Sequence, residues 1–344
     1  MKQRHSISAL RGLACLLLVL YHIIGATPDQ GLHLHAGWLR TINDALCTVR
    51  MPLFAFIAGA VYAFRPGFGM AFIRGKFRRL IIPMLIVGTA FALLQSITPG
   101  ANRHVQDWST LHLLPVAHFW FLESLFLIFV LVSWLERWAV ICRPTHWLAV
   151  FAFSAAVYVS GWGLPWFGIA GAVYLLPFFL LGLGIERFGW KLPGNGSVPV
   201  MLLLLSLGLA TYWAQTHPGF TRLDWEVLAI GLVSSTALWF LQLRSLWLEK
   251  LGVYSYSIFL FHVFFTAAIR VGLDALGVQS LALQIIASLI GGTVGPMCVY
   301  RVFARSPRIF SLILGGPATR HETFGRGRMK AGEPGTPAYR FSRL

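Results

Sequence analysis

"SALRGLACLLLVLYHII", residues Ser8 to Ile24, decides the fold class of this chain. The run is long and apolar enough to enter a bilayer as a helix, yet it keeps an arginine, Arg11, and a histidine, His22. Such groups are expensive inside a membrane and are rarely idle there. Eleven helical steps of about 100° leave only about 20° over three full turns, so both side chains lie on one helix face. Their separation is a rise of about 16.5 Å, roughly half of a hydrocarbon core about 30 Å thick. With Arg11 at the inner surface, His22 sits near mid-membrane. One face then offers a cation at the boundary and a proton acceptor deep inside. A snorkelling arginine and a hydrogen-bonded packing histidine would give the same pattern.

The rest of the chain repeats the apolar theme. Of 344 residues, 57% are hydrophobic and only 12% are charged, with a mean hydropathy of +0.69. A soluble domain of this size could not cover that much apolar surface. Ten spans are predicted, covering 8–26, 46–64, 80–97, 118–135, 147–163, 166–185, 198–214, 225–242, 251–273 and 280–302. The class is therefore an all-α polytopic membrane protein. The first span has no convincing small-residue cleavage site and reads as a retained helix.

The net charge of +16 would suggest nucleic acid in a soluble protein. Here the basic residues alternate between loops, so topology explains them and no nucleic-acid partner is expected. With the N-terminus in the cytoplasm, the inside segments hold Lys2, Arg4 and Arg11; Arg65 to Arg79; Arg137 and Arg143; Arg187 and Lys191; Arg244 and Lys250; and a tail from Arg301 onward. The outside holds Arg40, Arg50, Arg103, Arg222 and Arg270. Both termini are expected in the cytoplasm. The membrane domain is placed at 1–310. Residues 311–344, rich in Gly, Pro and Arg, form an expected disordered tail suited to anionic lipid. The four cysteines are scattered, which argues against a disulfide framework or a zinc site. His33, His35, His104, His112 and His217 fall in outside loops and are expected to be solvated, with no metal site.

Four more stretches carry polar groups in apolar settings. "VRMPLFAFIAGAVYAF" (Val49–Phe64) follows the first outside loop, and "GKFRRLIIPML" (Gly75–Leu85) puts Arg78 and Arg79 before the third span. "HFWFLESLFLIF" (His118–Phe129) opens the fourth span with a carboxylate, Glu123. "LGVYSYSIFLFHVFF" (Leu251–Phe265) sets Ser255 and His262 seven residues apart, nearly in line on one face.

Together these stretches resemble the acyltransferase 3 family of integral-membrane O-acyltransferases. Arg11-x10-His22 matches its first-helix signature, and Arg79-Leu-Ile-Ile-Pro83 is similar to its basic motif before the third helix. Phe119-Trp120-Phe121-Leu122 resembles its tryptophan motif. The run from Leu251 through Ser255, Tyr256 and Ser257 to His262 resembles its late helix signature. The match runs from about residue 6 to 302. It departs at "RMPLFAFIAG", where the family usually has a histidine before Met-Pro and reads closer to Phe-Phe-Phe-x-Ser-Gly. Arg50, Ala55 and Ala58 stand there instead, and Gly59 reads as a packing glycine.

The resemblance implies acyl transfer from cytoplasmic acyl-CoA, acetyl by default, to a hydroxyl of a carbohydrate or glycosylated acceptor beyond the inner membrane. Acyl-CoA is a co-substrate in this scheme, and no bound cofactor is expected. Arg11, Arg78 and Arg79 suit the CoA phosphates, although Arg78 and Arg79 also fit ordinary inside-loop topology. His22 is the candidate base, because a neutral alcohol attacks poorly without one. Glu123 is a second catalytic candidate, to orient an imidazole or bind the acceptor; a partner for Arg50 is the plainer reading. Trp120 is placed to stack on a sugar, line an acyl tunnel or sit in an interfacial belt. Ser255, Tyr256 and His262 are placed in the substrate cavity or in polar contacts between helices. A homodimer is left open. A transporter or flippase would also need intramembrane polar groups; the absence of an internal repeat weighs against one built on inverted repeats.

Overall fold

The computed structural model describes residues 2–98, 108–114, 116–192, 196–217 and 223–316. These residues form an all-α fold of twelve helices: α1 (Lys2–Ile24), α2 (Trp38–Phe64), α3 (Met70–Ile97), α4 (Trp120–Arg137), α5 (Pro144–Val159), α6 (Ile169–Phe188), α7 (Ser197–Thr216), α8 (Trp225–Phe240), α9 (Leu246–Val253), α10 (Ser255–Ala275), α11 (Leu281–Phe303) and α12 (Pro307–Leu314). Eight of them are long and apolar enough to cross a membrane, and α5 and α8 are shorter apolar helices. These ten coincide with the ten predicted spans. The expected disordered tail beyond Gly316, together with Arg103, His104 and Arg222, lies outside the described residues.

The boundaries differ where polar turns extend an apolar run. α2 starts at Trp38 rather than at residue 46. Its first turns are held by an Arg40–Asp44 ion pair of 2.7 Å one turn apart. Arg40 also donates to the carbonyls of Gly25 (3.1 Å) and Ala26 (3.0 Å), which fastens the loop that follows α1. Arg50, counted above among the outside charges, is therefore an interior residue of α2 and is 2% exposed. The span predicted at 251–273 is broken at Tyr254, which ends α9, and α10 starts at Ser255. α12 continues past residue 310: Phe310 and Leu314 are buried, and the helix packs on α3.

Glycine sets how closely the central helices approach. A Cβ at Gly59 of α2 would overlap the carbonyl of Phe179 on α6, and one at Gly182 of α6 would overlap the carbonyl of Phe56 on α2. The same reciprocity joins α1 and α9, where Gly12 meets the Leu248 carbonyl and Gly252 meets that of Ser8. In lipid, where apolar packing gains little from expelling water, such backbone contact is a main source of association. α2 is the most buried span, against α1, α6, α7 and α8. On the rim, α11 exposes Ile286, Ile290 and Val294, a stripe at four-residue spacing that suits lipid. Exposed tryptophans gather at the two ends of the bundle. Trp38, Trp162, Trp166 and Trp225 are on the end where α1 finishes, and Trp134, Trp138, Trp190 and Trp247 are on the end where it begins. Interfacial belts have this distribution.

Candidate active site

α1 delivers His22 in its last turn, just before Gly25 (φ 106°) ends the helix. α10 brings His262, which is fully buried, and the turn leading into α4 brings His118, 5% exposed. The three imidazoles form one cluster. Ring centroids are 4.7 Å apart for His22 and His262, 4.8 Å for His118 and His262, and 5.5 Å for His22 and His118.

Hydrogen bonds within the cluster fix the tautomers. His262 Nδ1 faces two acceptors, the carbonyls of Ile258 (2.8 Å) and Phe259 (3.0 Å), so Nδ1 carries the proton and Nε2 accepts. His22 Nδ1 lies 3.2 Å from that Nε2 and 3.0 Å from the Leu18 carbonyl. Facing two acceptors, it too must donate. Neutral His22 therefore keeps its lone pair on Nε2, the nitrogen able to take a proton from a substrate. His262 serves it as an oriented acceptor, able to support the imidazolium when it forms. His118 makes no hydrogen bond of ordinary geometry through either nitrogen, although it interacts with the carbonyls of Phe259 and Leu260.

His22, His118, Arg50 and Trp120 line a cavity of about 880 Å³ that runs past Tyr21 to the loop residues Pro28 and His35 and to His217 after α7. The cavity therefore reaches the surface at the end where α1 finishes, the expected outer end. Its volume is in the range of small-molecule sites. Glu123 is buried, with Oε2 lacking a hydrogen-bond partner, and is not part of this wall. Among the described residues no hydrogen bond joins it to an imidazole and no ion pair joins it to Arg50. It stands instead where α4 meets the start of α6. There the Ser124 hydroxyl lies between the carbonyls of Trp120 (2.8 Å) and Gly168 (2.7 Å). Two of the loop histidines have neighbours of their own. His112 is half-buried, 2.9 Å from the Thr89 hydroxyl, and burial lowers its pKa; His217 stacks on Trp213.

The other end of α1 is cationic. Arg11 and Arg79 are close enough for their charges to interact, as are Arg79 and Lys76. Lys76 sits 3.6 Å over the Phe129 ring. The acids at this end are already engaged: Glu136 pairs with Arg187, Glu186 accepts from Gln3 and Trp239 at 3.0 Å each, and Glu249 meets His5 at 2.7 Å. Among the described residues no carboxylate pairs with Arg11, Lys76, Arg78 or Arg79. Tyr256 donates to the Arg79 carbonyl, and the Ser255 carbonyl accepts from the Cys15 thiol at 3.5 Å. Both residues thus belong to the Arg11 half of the bundle, and neither lines the large cavity. Sequence alone assigns no role to His118, and it counts Arg50 among the outside charges, with Glu123 as its possible partner. The available signals were His118 at the head of the tryptophan motif and an arginine directly before the apolar run from Met51.

The bundle thus holds a histidine between a cationic end of α1 and a cavity that opens at the opposite end. The chain belongs to the acyltransferase 3 family: the family model, described as an acyltransferase domain, matches residues 4–301. It is a multi-pass membrane acyltransferase. No curated protein and no solved structure gave a match.

Proposed function

We propose that this protein is an O-acyltransferase of the inner membrane, moving an acyl group, acetyl by default, from cytoplasmic acyl-CoA to a hydroxyl of an extracytoplasmic carbohydrate or glycosylated acceptor. The observation that carries this reading is the polarity of α1. Arg11 stands with Arg79 at one end, where no carboxylate among the described residues pairs with either, and His22 stands at the other, in the wall of a cavity that reaches the opposite surface. Arg11, Arg78 and Arg79 would hold the CoA phosphates, for which guanidinium groups are well shaped. His22 Nε2 takes the proton of the acceptor hydroxyl as its oxygen attacks the thioester carbonyl. The C–S bond then breaks, and the imidazolium returns the proton to the leaving sulfur, which gives the ester and free CoA. His262 holds His22 in the required tautomer throughout.

The test uses purified protein with labelled acetyl-CoA and glycans extracted from membranes, following both ester formation and CoA release. A general base contributes about 10² to 10⁴ in rate. His22→Gln, which keeps polarity but has no basic nitrogen, should lose transfer by that factor and retain acyl-CoA binding. Near-normal turnover in this variant would remove His22 as the base. A wild-type protein that binds glycan but never consumes acyl-CoA would point to transport instead.

A further inference from the structure

Arg50 has no part in the reaction as written. It is 2% exposed in the interior of α2, yet it borders the large cavity. Its guanidinium lies 3.6 Å over the centroid of the Tyr21 ring, and that ring meets His22 edge-on at 5.1 Å. Arg50 is thus one aromatic ring away from the base. Its Nε has no hydrogen-bond partner, and among the described residues no carboxylate pairs with it. The cavity's other arginine, Arg40, is neutralised by Asp44 and saturated by two carbonyls.

A buried cation without a counter-charge is destabilising, and contact with one aromatic face offsets only part of that. The inner end of the cavity therefore carries one uncompensated positive charge in a fixed, planar, fork-shaped group. That geometry is complementary to a carboxylate or phosphate. An oxyanion that exists only during bond exchange would leave the cation uncompensated in the resting complex, whereas a permanent anion on the bound molecule would not.

We propose that Arg50 is an acceptor-recognition residue and that the natural acceptor carries an anionic group, a carboxylate or a phosphate, seated on Arg50 beside the hydroxyl presented to His22. This rests on the acyl-transfer reading for the meaning of "acceptor", but its test does not need transfer.

Binding to purified protein is measured without donor for two matched pairs of probes: trigalacturonic acid against its full methyl ester, and glycerol 3-phosphate against glycerol. The wild type should favour one acidic probe over its neutral partner by about ten- to a hundred-fold, the size of a charge-assisted contact. Which pair shows the preference identifies carboxylate or phosphate. Arg50→Gln should abolish the preference. Arg50→His at pH 8 is the second variant should the first fail to fold, with the same expectation. His22→Gln should keep the preference, so a failure of the base assignment and a failure of this proposal are read separately. The proposal is overturned if the wild type binds acidic and neutral probes alike, or if the preference survives loss of the guanidinium. It is equally overturned if Arg50→Gln lowers turnover on a neutral acceptor while binding shows no charge preference, which would assign Arg50 to the transition state.

Discussion

His262 and His22 divide one task between them. Two carbonyls hold the His262 proton on Nδ1, which makes its Nε2 an acceptor for His22. His262→Phe fills the space but removes that acceptor. It should lower kcat by roughly 10- to 100-fold, the scale seen when metal-binding histidines lose the partner that orients them, with the KM for acyl-CoA little changed. His262→Gln can offer a carbonyl oxygen and should recover part of the loss, which a purely structural role would not predict. Steady-state transfer by variants matched for folded protein checks both. Arg11 and His22 were legible in the sequence because helical spacing is local and fixes their common face. His118 and Arg50 were not, because their places depend on helices far apart in the chain. The window that located the second span began six residues after Arg40, so the polar turns that carry α2 outward were read as loop.

Among the helices, the glycine contacts make the most direct prediction. Gly59→Ala places a methyl group against the Phe179 carbonyl, where backbone would have to move. Overpacking of this kind costs about 1–3 kcal/mol. Gly208 of α7 has nothing within 4 Å of an added Cβ, so Gly208→Ala should be neutral or stabilising by about 0.5–1 kcal/mol through helix propensity alone. Thermal melting of the two variants in detergent should therefore move in opposite directions or, at the least, separate clearly. The existence of all ten apolar helices could be read from composition, because a membrane-spanning segment must satisfy its own backbone hydrogen bonds and be apolar along its length. The break at Tyr254 could not. The helix ends at Val253 with neither proline nor glycine at the break, and Gly252 just before it packs against the Ser8 carbonyl of α1.

For the whole molecule, charge asymmetry makes two predictions. A reporter fused after Gly316 and one fused after Gly161, in the turn between α5 and α6, should report opposite sides of the membrane. Detection on the same side would refute the orientation taken from the basic loops. Replacing Arg78 and Arg79 together with alanine should weaken acyl-CoA binding by about ten- to a hundred-fold without removing folded protein from the membrane. Unchanged affinity would reduce these arginines to topology signals. The fold class and the cationic end of the bundle were visible in the sequence for the same reason: the bilayer imposes rules on each segment separately. The cavity at the other end was not, since α1, α2, α3, α4, α7 and α10 must assemble before it exists.

The bond between His22 and His262 closes a separation of 240 residues. A ribosome adding about 5–20 residues per second releases the second imidazole roughly 10–50 s after the first. Throughout that interval α1 is in the bilayer without the His262 imidazole beside His22. The centre is therefore completed almost at the end of synthesis. A chain halted before α10 would carry Arg11, Lys76 and Arg79 and still lack the imidazole that accepts from His22. Termination late in translation would thus leave an inserted product that lacks the contact between the first helix and the His262 imidazole.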